Sequence, residues 1–372
     1  AADQPRVPLS RLLERERVDF AASTSSWALA RNHTSAGRVH LNFPLRSPGR
    51  HSAAWPAMAA ILVTGGSGYL GQFVVRDLAA SGRWQVGYTY CSSAAPQGLP
   101  SNVHAFQVDL ATGSGLKEAI STLGGLAAVV NCAAVSQPGV CERSPETARA
   151  TNVPTALLYA LDGQRQITGI EAVLVHISTD QVYAGSKPYW TESDECEPVN
   201  VYGATKLAAE QLIKGSWPRS VILRSSIIYG PMPPVPVGRS LFLQFMDGAL
   251  AKGEPTAFFE DEFRSPIYVA DILMIIRVCI EKLIDVQQPD ARVYNMGGPQ
   301  RMSRVDMAEA VTDARGYDRA AILRAPAASV DRGVASPADI SMNTALLQEE
   351  LGVRPRTFRE ALADMGMATS GT

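Results

Sequence analysis

The stretch AAILVTGGSGYLGQFVVRDLAA, from Ala59 to Ala80, decides the fold. Residues 61–64 are apolar or β-branched without the alternation of a half-exposed strand, so both faces of this strand are covered. Glycines follow at Gly65, Gly68 and Gly71, and from Tyr69 to Ala80 the apolar positions recur at helical spacing. A covered strand, G-x-x-G-x-x-G and a helix are the parts of a dinucleotide site. Glycine lets the backbone turn tightly and approach a pyrophosphate, whose charge then meets the helix N-terminus. Gly65, Gly68, Tyr69, Leu70 and Gly71 are therefore assigned to the cofactor. A tight turn alone would also use glycine, but here the strand and the helix flank the loop in the required order.

Working outward, apolar β-rich runs at residues 85–90, 103–108, 127–131, 172–177 and 220–223 alternate with longer segments of helical period. Strands buried on both faces and joined by helices predict a doubly wound parallel sheet, an α/β fold of Rossmann type. Beyond it, residues 231–236 form a proline-dense loop, residues 241–252 read as a helix, and the tail from Ser303 reads as helices separated by loops. These belong to a smaller C-terminal lobe. The expected division is a cofactor domain at 58–230, also receiving about 265–300, and a lobe at 231–264 and 301–372.

The end of the second strand selects the cofactor. An acid there would hold the ribose hydroxyls of NAD, but GYTYCSS, 87–93, contains none. Hydroxyls of Thr89, Ser92 and Ser93 are instead available to a 2′-phosphate, which favours NADP(H). Asp109 and Leu110 close the third strand, where the Asp109 carboxylate either accepts from the adenine amino group or caps the following segment.

Tyr202 and Lys206 stand at i and i+4 in VYGATK, so on a helix both project from one face. A phenol keeps its proton to about pH 10, and a neighbouring ammonium stabilises the phenolate, making the tyrosine a usable acid or base near neutrality. Ser178, Thr179 and Asp180 end an earlier strand at the sheet edge where doubly wound folds hold ligands. A Tyr-x-x-x-Lys pair alone is commonly a solvated helix face. Its order after a glycine loop and a hydroxyl-bearing strand end favours catalysis.

TGGSGYLG, NCAAVSQP, ISTDQVYAG, VYGATKLAAEQ and LRSSIIYGP, in that order, resemble the extended short-chain dehydrogenase/reductase family over nearly everything after Met58. Within it, STDQVY followed by NVYGATKLAAE is most similar to the dTDP-4-dehydrorhamnose reductases and to the regulatory beta subunits of methionine adenosyltransferase. The resemblance implies that Thr179, Tyr202 and Lys206 form a catalytic triad, with Tyr202 protonating the substrate oxygen and Lys206 also holding the nicotinamide ribose. It further implies that Ala133 and Ala134 line the cofactor's path. Ser178, Asp180, Arg224, Ser225 and Ser226 would border the nicotinamide and a sugar-nucleotide substrate, and the loop carrying Glu192 and Asp194 would shape the sugar pocket. Gln181 and Ala184 depart from the reductase pattern, which has an aromatic and an acidic residue there. The expected activity is NADPH-dependent reduction of a 4-keto-6-deoxy sugar nucleotide. A non-catalytic, NADP-binding regulatory subunit and an epimerase or dehydratase of the same family are the alternatives, and a homodimer or hetero-oligomer is the expected assembly.

Composition narrows the remaining classes. Residues 1–57 carry eight Arg, no Lys and four acids, so the chain's net charge of -2 leaves -6 on the rest. A mildly acidic body argues against a nucleic-acid groove. Five scattered cysteines show no C-x-x-C spacing, and only His104 and His176 of five histidines follow residue 57, so neither a metal site nor a disulfide framework is expected. No apolar run approaches the roughly 20 residues that span a bilayer. From Phe20 to Arg76 there is no acid, and the Ser-, Ala- and Arg-rich stretch resembles an organelle transit peptide. Met58 before the first strand would equally serve as a start. A cytoplasmic enzyme is expected, with plastid or mitochondrion as the alternative, and residues 1–57 as a disordered extension.

Overall fold

The computed structural model describes residues 59–92, 103–238, 241–284 and 291–367. The expectations for residues 1–57, Met58 and Ser93 lie outside the described residues. In chain order the elements begin β1 (Ala60–Thr64), α1 (Tyr69–Ala80), β2 (Gln85–Tyr90), β3 (Val103–Gln107), α2 (Leu116–Thr122), β4 (Leu126–Asn131), α3 (Pro138–Arg143), α4 (Pro145–Asn152), α5 (Thr155–Thr168), β5 (Val173–Thr179) and α6 (Val201–Ser216). They continue β6 (Ser220–Ser225), β7 (Ile228–Tyr229), α7 (Phe242–Ala251), β8 (Thr256–Phe259), β9 (Ile267–Tyr268), α8 (Val269–Ile284), β10 (Arg292–Met296), α9 (Arg304–Arg315), β11 (Ile322–Ala325), α10 (Ala345–Leu351) and α11 (Phe358–Asp364).

Seven strands form one sheet in the order β10-β6-β5-β4-β1-β2-β3, every pair parallel. This is the expected α/β, Rossmann-type sheet. The strand order reverses between β1 and β4, so the loops after these two strands diverge and leave a crevice at the carboxyl edge. β1, β4 and β6 are buried at every residue, as strands covered on both faces must be. Ile61 and Val63 join one apolar cluster with Val74, Val75 and Leu78 of α1 and Ile272, Ile275 and Ile276 of α8. Leu62, equally buried, points to the opposite face because successive strand residues alternate. β3, at the sheet edge, is mostly open to solvent.

Two strands run past the C-terminal ends of the expected runs. β5 reaches Thr179 and β6 reaches Ser225, because the polar residues at their ends remain in the ladder, Ser178 opposite Arg224 and Thr179 opposite Ser225. Four short strands gave no periodic signal: β8 pairs with β11, and β7 with β9, all parallel. The C-terminal segment is continuous with the sheet's own core. Leu347, Leu351, Phe358 and Leu362 belong to the same cluster as Ile61 and Val63.

Candidate active site

The glycine loop is shaped by close approaches. Gly65 has φ +66°, and a Cβ there would sit 2.8 Å from the Ala133 Cα. A Cβ on Gly71 would lie 2.2 Å from the Gly65 carbonyl oxygen, so α1 can start under the loop only because residue 71 has none. α1 opens at Gly68 with no capping side chain and no acid in its first turn, so the positive end of its dipole favours an anion there. Gln72, 1% exposed, pins the proline-dense loop above α1: it donates to the Val235 carbonyl at 3.0 Å and accepts from the Val235 amide at 2.9 Å. The Tyr69 hydroxyl donates to the Pro231 carbonyl at 3.1 Å.

α6 carries Tyr202 and Lys206. Its cap is Asn200, whose side chain accepts from the Gly203 amide at 2.9 Å. One turn after Lys206, buried Glu210 locks the helix to the sheet. It takes the Ser178 hydroxyl at 2.6 Å from β5 and the Arg224 guanidinium at 2.7 Å from β6. Lys206 is 1% exposed, and its Nζ lies 3.0 Å from His176 Nε2. Burial pushes its ammonium down to about 8, with Glu210 pulling the other way. Thr179, at the end of β5, accepts from the Gln181 amide and donates to Asp180 Oδ1, both at 3.2 Å. Asp180 Oδ2 is buried with no hydrogen bond of ordinary geometry. Burial raises the Asp180 carboxyl above its usual range, while Arg264 and the adjacent Ser226 and Thr179 hydroxyls act against the rise.

These groups open onto one cavity of about 1090 Å³, lined by the glycine loop, the end of β5, α6, the proline-dense loop and the segment around Arg332. Small-ligand pockets occupy about 300–1,000 Å³, so this one has room for more than a single small molecule. It brings together Gly65, Gly68, Tyr69, Leu70, Gly71, Ser92, Ala134, Ser178, Thr179, Asp180, Tyr202, Lys206, Ser225 and Ser226.

Five other residues read as site residues are placed elsewhere. The Thr89 hydroxyl is 2% exposed and accepts from the Gly65 amide at 3.1 Å, so it braces the glycine loop rather than facing the cavity. Arg224 is consumed by Glu210 and by the Tyr183 hydroxyl at 2.9 Å, so it ties α6 to the sheet. The Asp109 carboxylate accepts from the Ala111 amide and the Thr112 hydroxyl, both at 2.9 Å. It closes a local turn; α2 starts later, at Gly115. Leu110 adjoins that turn, and Ala133 packs against Gly65, neither of them on the cavity wall. Of the loop acids, Glu192 accepts from the Asn295 amide at 2.8 Å and Asp194 pairs with Lys187 at 2.6 Å.

The wall also holds residues that the sequence reading did not assign to the site. Arg264, Arg304, Arg332 and Glu262 line its C-terminal side. Arg332 is bound to Glu262 and Arg264 to the Phe263 carbonyl at 2.7 Å, whereas Arg304 Nη1 is buried without a hydrogen-bond partner. Burial lowers the Arg304 guanidinium to about 10, so an anion in the cavity would relieve it. These arginines lie up to 68 positions apart, Arg304 at the start of α9 and the other two in loops, and no spacing marked them. His176 did carry a signal: it interrupts the buried apolar run of β5, where a polar side chain requires a partner.

Residues 58–370 match the family described as the RmlD substrate binding domain. The chain is 28% identical over 313 residues to the probable low-salt glycan biosynthesis reductase Agl14 of Haloferax volcanii, covering 83% of this chain and 97% of that protein. It is 27% identical over 317 residues to methionine adenosyltransferase 2 subunit beta of Mus musculus, covering 82% of this chain and 86% of the relative. Among solved structures, dTDP-4-dehydrorhamnose reductase of Bacillus anthracis in complex with NADP superposes with a TM-score of 0.66 at 20% identity, over 83% of this chain and 99% of that one.

Proposed function

From the premise that this chain belongs to the RmlD substrate binding domain family, we propose that it is an NADPH-dependent reductase of a 4-keto-6-deoxy sugar nucleotide. The observation that carries the reading is the gathering of the glycine loop, Thr179, Tyr202 and a buried Lys206 around one cavity. The relatives named as reductases support it.

The residues present fit a dinucleotide: a helix N-terminus with no side-chain cap behind a loop in which Gly65, Gly66 and Gly71 have no room for a side chain. In this reading Gly65, Gly68, Tyr69, Leu70 and Gly71 hold the pyrophosphate, and Ala134 and Lys206 flank the nicotinamide end. The missing acid in 87–92 and the cavity-facing Ser92 favour a 2′-phosphate. When bound, the nicotinamide supplies the hydride that reduces the keto carbon. The chain's own groups manage the proton. Tyr202 gives its hydroxyl proton to the carbonyl oxygen, Thr179 orients that oxygen, and the Lys206 ammonium stabilises the phenolate that remains. Asp180 Oδ2 accepts from a sugar hydroxyl, and Arg304 meets the diphosphate of the substrate. From the smaller lobe, Glu262, Arg264, Arg304 and Arg332 form the substrate side of the cavity.

NADPH oxidation measured against a panel of 4-keto-6-deoxy sugar nucleotides tests this. Turnover of at least one is expected. Tight NADP(H) binding with no turnover of any would instead favour a regulatory subunit, the second reading, which the likeness to the methionine adenosyltransferase beta subunit supports.

A further inference from the structure

Three side chains stand at one level across the middle of the sheet. Thr64 of β1 is in register with Asn131 of β4, and Asn131 with His176 of β5. The Thr64 hydroxyl donates to Asn131 Oδ1 at 2.6 Å, the Asn131 amide lies 3.0 Å from His176 Nδ1, and His176 Nε2 lies 3.0 Å from Lys206 Nζ. All four residues are at most 3% exposed. The row ends on the one lysine of the cavity wall, and a contact of this kind with a group that must stay charged is more than packing.

We propose that His176 is a positioning residue for Lys206: its imidazole, backed by Asn131 and Thr64, holds the ε-amino group in place and favours its charged form. The claim rests on the reductase reading for what Lys206 does, but not for how it is held.

The other charged and titratable groups near Lys206 leave this task to His176. Glu210, on the same helix, is already bound by Ser178 and Arg224, with Lys214 at 3.8 Å. The Cys132 thiol, beyond the end of β4, is pushed up to about 12 by burial and stays neutral. Tyr202 lies one turn away on α6. His176 itself is held well below its ordinary value by burial and by the Lys206 charge, so the ring is neutral. A neutral imidazole has one donor and one acceptor nitrogen. In the arrangement shown, the Asn131 oxygen is taken by the Thr64 hydroxyl, the Asn131 nitrogen donates to Nδ1, and Nε2–H donates to the neutral amine. With the Asn131 amide turned over and the Thr64 hydroxyl accepting from its nitrogen, Nδ1–H donates to the Asn131 oxygen and Nε2 accepts from the ammonium. The amino group keeps a partner in both states, and the bond to the cation is the stronger one, so the contact raises the affinity of Lys206 for its proton.

The titration of Lys206 is followed by NMR of the full chain carrying lysine labelled at Cε; there are six lysines, and Lys206→Met identifies the signal. In His176→Phe the midpoint is expected to fall by about one pH unit or more, and His176→Gln, whose amide oxygen can take the place of Nε2, should restore part of the shift. An unchanged midpoint in His176→Phe overturns the proposal. If that variant does not fold, Asn131→Ala replaces it: a lowered midpoint supports the proposal and an unchanged one overturns it. Turnover separates the two claims. A shifted midpoint in a protein that reduces no sugar nucleotide keeps the His176 assignment and removes the reductase reading, and an unshifted midpoint with turnover does the reverse.

Discussion

At Lys206 two effects oppose each other. Burial favours the neutral amine while Glu210 favours the ammonium, and the balance leaves the group near 8 instead of 10.5. The sign for catalysis follows. The ammonium that stabilises the Tyr202 phenolate is present below that value and lost above it, so kcat/KM for keto-sugar reduction should be flat below about pH 8 and fall on the alkaline side; a profile still rising at pH 9 would contradict this. Cofactor choice is also a matter of single residues. Ser92→Asp should weaken NADPH relative to NADH by about tenfold or more through repulsion of the 2′-phosphate, and unchanged relative affinities by titration would remove Ser92 from the site. Tyr202 and Lys206 were legible because their spacing of four suffices to place them on one helix face. Thr89 and Arg224 were misread for the converse reason. A hydroxyl or guanidinium at a strand end faces whatever the fold brings to it, and Gly65 and Glu210, 24 and 14 positions away, arrive only with the tertiary structure.

α6 is useful to the site only while it keeps its angle to the sheet, and that angle is set by Glu210 with Ser178 and Arg224. The Arg224–Glu210 pair is nearly solvent-free, with side-chain exposures of 2% and 0%. Removing one partner strands the other charge, so Arg224→Ala should cost about 3–5 kcal/mol in denaturant unfolding. A residue that contacted substrate would instead change KM and leave stability nearly untouched. At this scale the reading of the sequence succeeded where an element is long and periodic: α1 spans Tyr69–Ala80 as expected, and α7 lies within 241–252. It failed for β7, β8, β9 and β11, of two to four residues, which are too short to show a period and are strands only because a partner lies alongside, and for β10, whose RVYNM is too polar to stand out as a buried run.

Over the whole molecule, one apolar cluster joins β1 and α1 to α8, α9, α10 and α11, so the lobe that carries Arg304 is packed into the same core as the glycine loop. Unfolding followed by far-UV circular dichroism and by tryptophan fluorescence should therefore give one coincident transition, and two separated transitions would mean that the lobe is an independent unit. The doubly wound sheet was legible because its central strands β1 and β4 are apolar almost throughout and alternate with helical segments; the cavity's arginine side was not, because Arg264, Arg304 and Arg332 come from loops and a helix start that only this shared core brings together. The account's central claim is that the cavity is a catalytic site in which the Tyr202 hydroxyl supplies the proton. Its most direct test is NADPH-linked turnover of a 4-keto-6-deoxy sugar nucleotide by the unmodified protein and by Tyr202→Phe, side by side, with NADPH affinity measured on both. The account predicts a kcat lower by about two orders of magnitude or more in the variant at nearly equal NADPH affinity, and unaltered turnover in Tyr202→Phe would contradict it.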